Sequence, residues 1–412
     1  MSQHALQRWG EYDRDDPFPL FAQVRDSGPV HEVTLPDGHR AWLVVRHEEA
    51  RAALNHPHLS KDMHAALAHK GGVVAEGLPG PAFARHMLAV DPPEHTRLRG
   101  LAASAFTRAR MAALRQRVQT IVDDLLDDLA ARGDIVDLVS GFAFPLPFTV
   151  ICEVLGIPEQ DRRGLGASLT TLLAPSSAPE PPAEAVAASA YIVGYLTDLL
   201  DGKRAEPGQD LVTDLVRAAD DDGALTEQEL LSTIFQLIVA GHDTTTNLIG
   251  NGVVALLDHP DELAALVADP GLMPRAIEEF MRWDAPVQHS TFRYTTQDVP
   301  LGDLVIPRHS QVIVSLAAAN RDGDHFEDPE TFDLSRGHAG HLAFGHGIHH
   351  CLGSRLARLE ALVAFTALLS RFPALRLAVP RSALHWGHGD GLVLRGLCEL
   401  PVSLGEPSDR RQ

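Results

Sequence analysis

Lysine is almost missing from this chain of 412 residues: only Lys61, Lys70 and Lys203 occur, so nearly all positive charge is arginine. With 35 basic and 55 acidic residues the formal net charge is −20. Nucleic-acid binding is driven largely by Lys and Arg neutralising phosphates. No basic block is present, so no nucleic-acid partner is expected. Cysteine is equally sparse. Cys152, Cys351 and Cys398 are an odd, scattered set that builds no disulfide framework and points to a reducing, cytoplasmic compartment. A long uninterrupted apolar run is missing too. The first thirty residues hold no apolar core between charged flanks, which excludes a signal peptide from the reading. The most apolar stretch, 230–257, carries His242, Asp243, Thr244, Thr245, Thr246 and Asn247 at its middle, where a membrane span is destabilised. The composition, about 45% hydrophobic and 22% charged, is that of a globular protein.

What is present is mostly helical pattern. VHEVTLPDGHRAWLVV (30–45) reads as two strands joined by a Pro36-Asp37-Gly38 turn. In 111–130, Leu114, Val118, Ile121, Val122, Leu125, Leu126 and Leu129 recur at the spacing of one buried helix face. The Pro-rich segment 174–183 reads as a loop between two helices. Thr226 followed by Glu229 is a capping box, and it opens a helix running to about 258 through the core. A short helix is expected near 274–284, a strand at 310–316 and a final helix at 353–371, with a last hairpin near the C-terminus. The fold class is mainly α with a smaller β-rich region.

Five histidines and one cysteine crowd into GHAGHLAFGHGIHHCLG (337–353). His and Cys are the preferred ligands of zinc, but structural zinc sites draw ligands in two spaced pairs, and no second pair is evident. A solvated histidine loop beside a core cysteine is the plain alternative. A third reading accounts for more. Phe344, Gly345, Gly347, His349, Cys351 and Gly353 spell Phe-Gly-x-Gly-x-His-x-Cys-x-Gly, and here the sequence resembles the haem-binding loop of the cytochrome P450 family. A thiolate at the head of a helix is stabilised by backbone N–H groups and the dipole. The glycines allow a tight turn and a close approach to a flat porphyrin.

The resemblance extends to other positions and implies their roles. Glu279 and Arg282 match Glu-x-x-Arg on a short helix; the family buries this structural pair, and Arg336 is the expected third member. Ala240-Gly241-His242-Asp243-Thr244 matches Ala-Gly-x-Asp/Glu-Thr, implying that Gly241 leaves room for dioxygen while Asp243 and Thr244 deliver protons. His95 and Arg99, one helical turn apart, together with Arg293 and His349, would hold the haem propionates. Asn320-Arg321-Asp322 and GLVLRGLCELPV also look like bacterial members.

The resemblance covers nearly the whole chain and implies one P450 domain over 1–412. The expected activity is a monooxygenase binding haem b through Cys351, with dioxygen as co-substrate. Electrons would come from NAD(P)H through a ferredoxin and its reductase, to a monomeric enzyme with no membrane partner. APVQHSTFRYT resembles members that tailor polyketides and macrolides, so a bulky secondary metabolite is the expected substrate; a steroid or terpenoid is the alternative. A thiolate-haem isomerase or peroxygenase would lack the Asp243-Thr244 relay, and a zinc scaffold remains the remote reading. Ala240, Thr244, Val287, Ser290, Thr291, Leu392 and Val393 are expected to line the pocket, under lid segments 63–90 and 168–190. Arg97, Arg108, Arg110, Arg355 and Arg358 are expected to form a basic docking patch in an acidic protein.

Overall fold

The computed structural model describes residues 8–63, 83–174, 181–221, 223–336, 340–387 and 392–406. The chain divides into two compact units. One comprises Met1–Ser60, Arg115–Leu146 and Thr244–Gln412, the other Lys61–Leu114 and Pro147–Asp243. They interleave in sequence, so no single cut separates them.

All the described strands belong to the first unit: β1 (Val30–Thr34), β2 (Arg40–Val44), β3 (Leu59–Ser60), β4 (Ile135–Asp137), β5 (Arg293–Thr295), β6 (Val299–Leu301), β7 (Leu304–Ile306), β8 (Gln311–Val314), β9 (Arg376–Leu377) and β10 (Pro401–Ser403). The main sheet has the order β1-β2-β8-β5-β3. The first hairpin forms where the sequence puts it. Val30 faces Val44 and Thr34 faces Arg40, while Gly38 takes the left-handed φ of +83° and Asp37 accepts a bond from His39 N (2.9 Å). β8 joins β2 in parallel, with Trp42 opposite Val312. Period-two alternation then buries both faces of the sheet. Ala41, Leu43 and Ile313 pack with Trp9 and Phe21 on one face. Val44, Val312 and Val314 pack with Leu54 and Leu59 on the other.

The expected C-terminal hairpin is reduced. Beside the short antiparallel pairing of β9 with β10 (Leu377 opposite Val402) there is an isolated bridge, Trp386 to Leu397, and the turn residues 388–391 lie outside the described set. The helix Arg108–Ala131 buries Val118, Ile121, Val122, Leu126 and Leu129 as its spacing predicts, with Leu114 and Leu125 half-buried.

Among the described residues the second unit is helical. Helices Glu159–Leu172 and Ala183–Ala205 pack on each other, and Tyr195 OH donates to Asp161 (3.2 Å). By length and composition Ala183–Ala205 could cross a membrane. Its buried residues Ala188, Ile192, Leu196, Leu199 and Leu200 nevertheless form one face, the pattern of a helix packed on protein. The longest helix, Glu227–Asp258, starts with the predicted reciprocal cap: Thr226 N donates to Glu229 Oε2 (2.9 Å), and Glu229 N to Thr226 Oγ1 (3.2 Å).

Candidate functional site

Cys351 lies on the turn just before helix Ser354–Arg371. Its N–H donates to Phe344 O (2.8 Å), while Gly345 N reaches Leu342 O (2.7 Å) and His350 N reaches Gly347 O (3.1 Å). Gly345 (φ +72°) and Gly347 (φ +74°) are left-handed. A Cβ on Gly347 would also lie 2.6 Å from Asn55 Oδ1 and 3.1 Å from the Leu54 carbonyl, so sterics as well as φ require glycine there. The thiol of Cys351 is exposed. That of Cys152 is buried, and burial pushes it up to about 12, which makes it inert. Cys398, expected to be packed like Cys152, is exposed instead: alternation across the Trp386–Leu397 bridge turns Leu397 inward and Cys398 outward.

The turn is braced by residues that carried no such signal in the sequence. Phe344 is buried beneath the Arg358 guanidinium (4.3 Å to the ring centre). Arg358 in turn bonds both oxygens of Glu278 (2.5 and 2.9 Å), and His341 adds a third contact at 3.1 Å. Burial opposes the charge on Glu278, but bonds from Arg358 and His341 outweigh it and hold the carboxyl at about 2. Arg358 is therefore a brace and not a bare docking charge. Asn320 Oδ1 accepts from Leu342 N (2.7 Å) and fixes the chain entering the turn.

Glu279 and Arg282 form a buried two-bond pair (Nε–Oε2 and Nη2–Oε1, both 2.7 Å). The other three guanidinium hydrogens go to the carbonyls of Asn320 (3.2 Å), Pro329 (2.8 Å) and Thr331 (2.9 Å). All five donors of Arg282 are thus used. Arg336 Nε lies 3.5 Å from Glu279 Oε2, and Asp333 N donates to Glu279 Oε1 (3.0 Å).

Of the other predicted cations, Arg293 opens β5 opposite Val312 and is buried, while His349 is half-buried on the Cys351 turn. His95 (buried) and Arg99 (half-buried) share one face of helix Glu94–Ala103. Arg97, expected in the docking patch, turns instead to Glu229 and the Ala224 carbonyl, and Arg110 bonds Asp214 (2.8 Å). Their charge is matched locally. Arg108 and Arg355 are exposed.

Midway along the long helix, Ala240 is exposed and Gly241 and Thr244 are half-buried, whereas His242, Asp243, Thr245 and Thr246 are buried. Ala240 and Thr244 are one turn apart, so the helix offers a narrow accessible stripe at its centre. Gly241 also has a packing role: a Cβ there would meet Ile151 Cγ1 at 2.8 Å, so its missing side chain admits helix Pro145–Leu155. His242 Nε2 lies 2.9 Å from Asp243 Oδ1.

The expected pocket residues separate in the same way. Thr291 is exposed, and Val287 and Val393 are half-buried. Ser290, by contrast, is held in the sheet, its Oγ accepting from Val314 N (3.1 Å), and Leu392 packs against the Trp9 cluster. Of the lid segments, 64–82 and 175–180 lie outside the described residues. Among the described residues no three His, Cys, Asp or Glu side chains converge as a metal-ion cage.

Glu360, on the helix after Cys351, is buried; its Oε2 has no hydrogen-bond partner among the described residues, and burial raises its pKa well above the usual carboxyl range. The unfolded chain ionises near pH 4.3, so between that pH and the raised folded value the folded state binds more protons and stability falls as pH rises. Glu360→Gln cannot ionise. Its thermal midpoint relative to wild type is expected to climb from pH 5.5 to pH 8; a constant difference would refute the assignment.

The donor chemistry of the first unit fits a haem: an exposed thiol on a glycine-shaped turn, with the His349 imidazole on that turn and the Arg293 cation on β5. Comparison with known proteins agrees. The Cytochrome P450 family model matches residues 190–378. The chain is 49% identical over 389 residues to Cytochrome P450 107B1 of Saccharopolyspora erythraea, covering 93% of this chain and 94% of that one. It is 40% identical over 395 residues to Mycinamicin IV hydroxylase/epoxidase of Micromonospora griseorubida, covering 93% and 94%. The solved structure of the tirandamycin C-bound P450 monooxygenase TamI superposes with a TM-score of 0.85 at 40% identity, over 98% of this chain and 99% of that one. With the Cys351 turn, the buried Glu279–Arg282 pair and similarity along nearly the whole length, this chain belongs to the cytochrome P450 family.

Proposed function

We propose that the protein is a bacterial-type monooxygenase that hydroxylates or epoxidises a bulky secondary metabolite such as a polyketide or macrolide. The observation that carries this is the exposed Cys351 thiol on its turn, in a chain whose long helix presents Thr244 on its accessible stripe. A relative similar over nearly its full length is named for acting on mycinamicin IV as hydroxylase and epoxidase, and a similar structure holds tirandamycin C. Both support a large natural product over a small one.

Cys351 would be the iron ligand, and His95, Arg99, Arg293 and His349 would bond the haem carboxylates. Phe344, Gly345 and Gly347 shape the turn that carries the thiolate. When bound, haem b supplies the iron at which dioxygen is reduced, with one oxygen atom going to substrate and the other to water. NAD(P)H supplies the two electrons through a ferredoxin and its reductase, and two protons balance the reaction: one accompanies the hydride equivalent and one comes from solvent. Thr244 and Asp243 hold and pass protons; Ala240, Val287, Thr291 and Val393 contact substrate. The enzyme works in the cytoplasm as a monomer.

Reconstitution with ferredoxin, reductase, NADPH and a panel of macrolactones and steroids tests the reading. Oxygenated macrolactone is expected from the wild type. Thr244→Ala should bind substrate equally well yet lose product by about 10²–10⁴, with the electrons recovered as hydrogen peroxide. Wild-type product per NADPH in that variant would exclude the relay, and turnover of steroids alone would exclude the substrate class.

A further inference from the structure

His242, which the family pattern leaves as a free choice, is built into the proton-handling part of the long helix. Its ring is buried: Nδ1 lies 3.2 Å from the Ile238 carbonyl, Nε2 lies 2.9 Å from Asp243 Oδ1, and the uncharged Phe148 ring packs edge-on at 5.5 Å. A carbonyl oxygen only accepts, so Nδ1 must carry a hydrogen. A neutral ring would then present a lone pair to a carboxylate oxygen, two acceptors face to face. The contact requires one more proton, on Nε2 or on the carboxyl. Imidazolium over carboxylate is neutral as a pair, which is the state such groups can adopt when both are buried.

We propose that His242 is a positioning residue for Asp243: doubly protonated, it fixes the carboxylate beside Thr244 and keeps one transferable proton stored on the pair. A proton passed from the pair toward the Thr244 hydroxyl leaves a neutral ring with its Nδ1–H still on Ile238, and solvent restores the lost proton. This deepens the monooxygenase reading and rests on it.

The test compares wild type, His242→Phe and His242→Gln, with Asp243→Asn to identify the Asp243 signal. Infrared spectra of the resting protein at pH 7 need no turnover. No protonated-carboxyl band from Asp243 is expected in the wild type. One should appear in His242→Phe, because a buried carboxyl that loses its cation is driven to the neutral form. During turnover, product per NADPH in His242→Phe should fall about tenfold or more while KM and the substrate-induced spin shift stay at wild-type values. His242→Gln keeps a donor but cannot store the proton, so it should keep wild-type thermal stability and still couple poorly. If the Phe variant does not fold, the Gln variant decides. Wild-type coupling in either variant, or no new carboxyl band in His242→Phe, overturns the proposal. A wild-type protein lacking a thiolate-haem spectrum would instead sink the functional reading and leave the infrared result standing.

Discussion

Cys351→Ala should abolish the thiolate-type absorption of the reduced, carbon monoxide-treated protein, and all oxygenation with it, whereas Cys152→Ser and Cys398→Ser should leave both in place. The three thiols differ in what their surroundings permit. Cys152 is fully buried, and burial pushes its thiol up to about 12, so it supplies no thiolate near neutral pH. Cys398 is exposed, but it flanks an isolated bridge. Cys351 alone combines exposure, a turn closed by its own N–H on Phe344, and the N-terminal end of helix Ser354–Arg371. A thiolate-type spectrum surviving in Cys351→Ala would remove the assignment.

Arg282→Leu is expected to cost about 3–5 kcal/mol, the range for breaking a buried ion pair and stranding one charge. The loss is large because the guanidinium ties Glu279 to the carbonyls of Asn320, Pro329 and Thr331, and Asn320 holds Leu342 at the entrance to the Cys351 turn. Haem retention should therefore fall with stability. The Glu279→Leu/Arg282→Leu double variant should be less damaged than the sum of its singles, since no uncompensated charge remains. Urea unfolding measures the energies, and haem content per protein measures the coupling to the turn. Arg282→Leu within about 1 kcal/mol of wild type would show the pair to be dispensable.

Short-range features were legible before any coordinates. The capping box at Thr226 and Glu229, the Asp37-Gly38 turn and the Cys351 turn with its left-handed glycines all depend on residues within a few positions of one another, so spacing alone reveals them. Side chains whose meaning depends on a distant partner were misread. Gly241 gives no local sign that Ile151 packs against it. Arg97, Arg110 and Arg358 look like free positive charge until Glu229, Asp214 and Glu278 are found beside them. Nor does local spacing announce the sheet hydrogen bond of Ser290 or the packing of Leu392 on the Trp9 cluster.

The sequence by itself determined the helical class, the long central helix, the turn that presents Cys351 and the adjacency of Asp243 to Thr244, because backbone preference and local hydrogen bonding act over a few residues. Only the tertiary structure decided which cysteine is accessible, which arginines are neutralised and that Arg282 spends every donor on one junction. Those outcomes depend on burial and on partners far away in the chain. Removing a charge or a donor from water is costly until such a partner is found, and only the folded chain determines which partner that is.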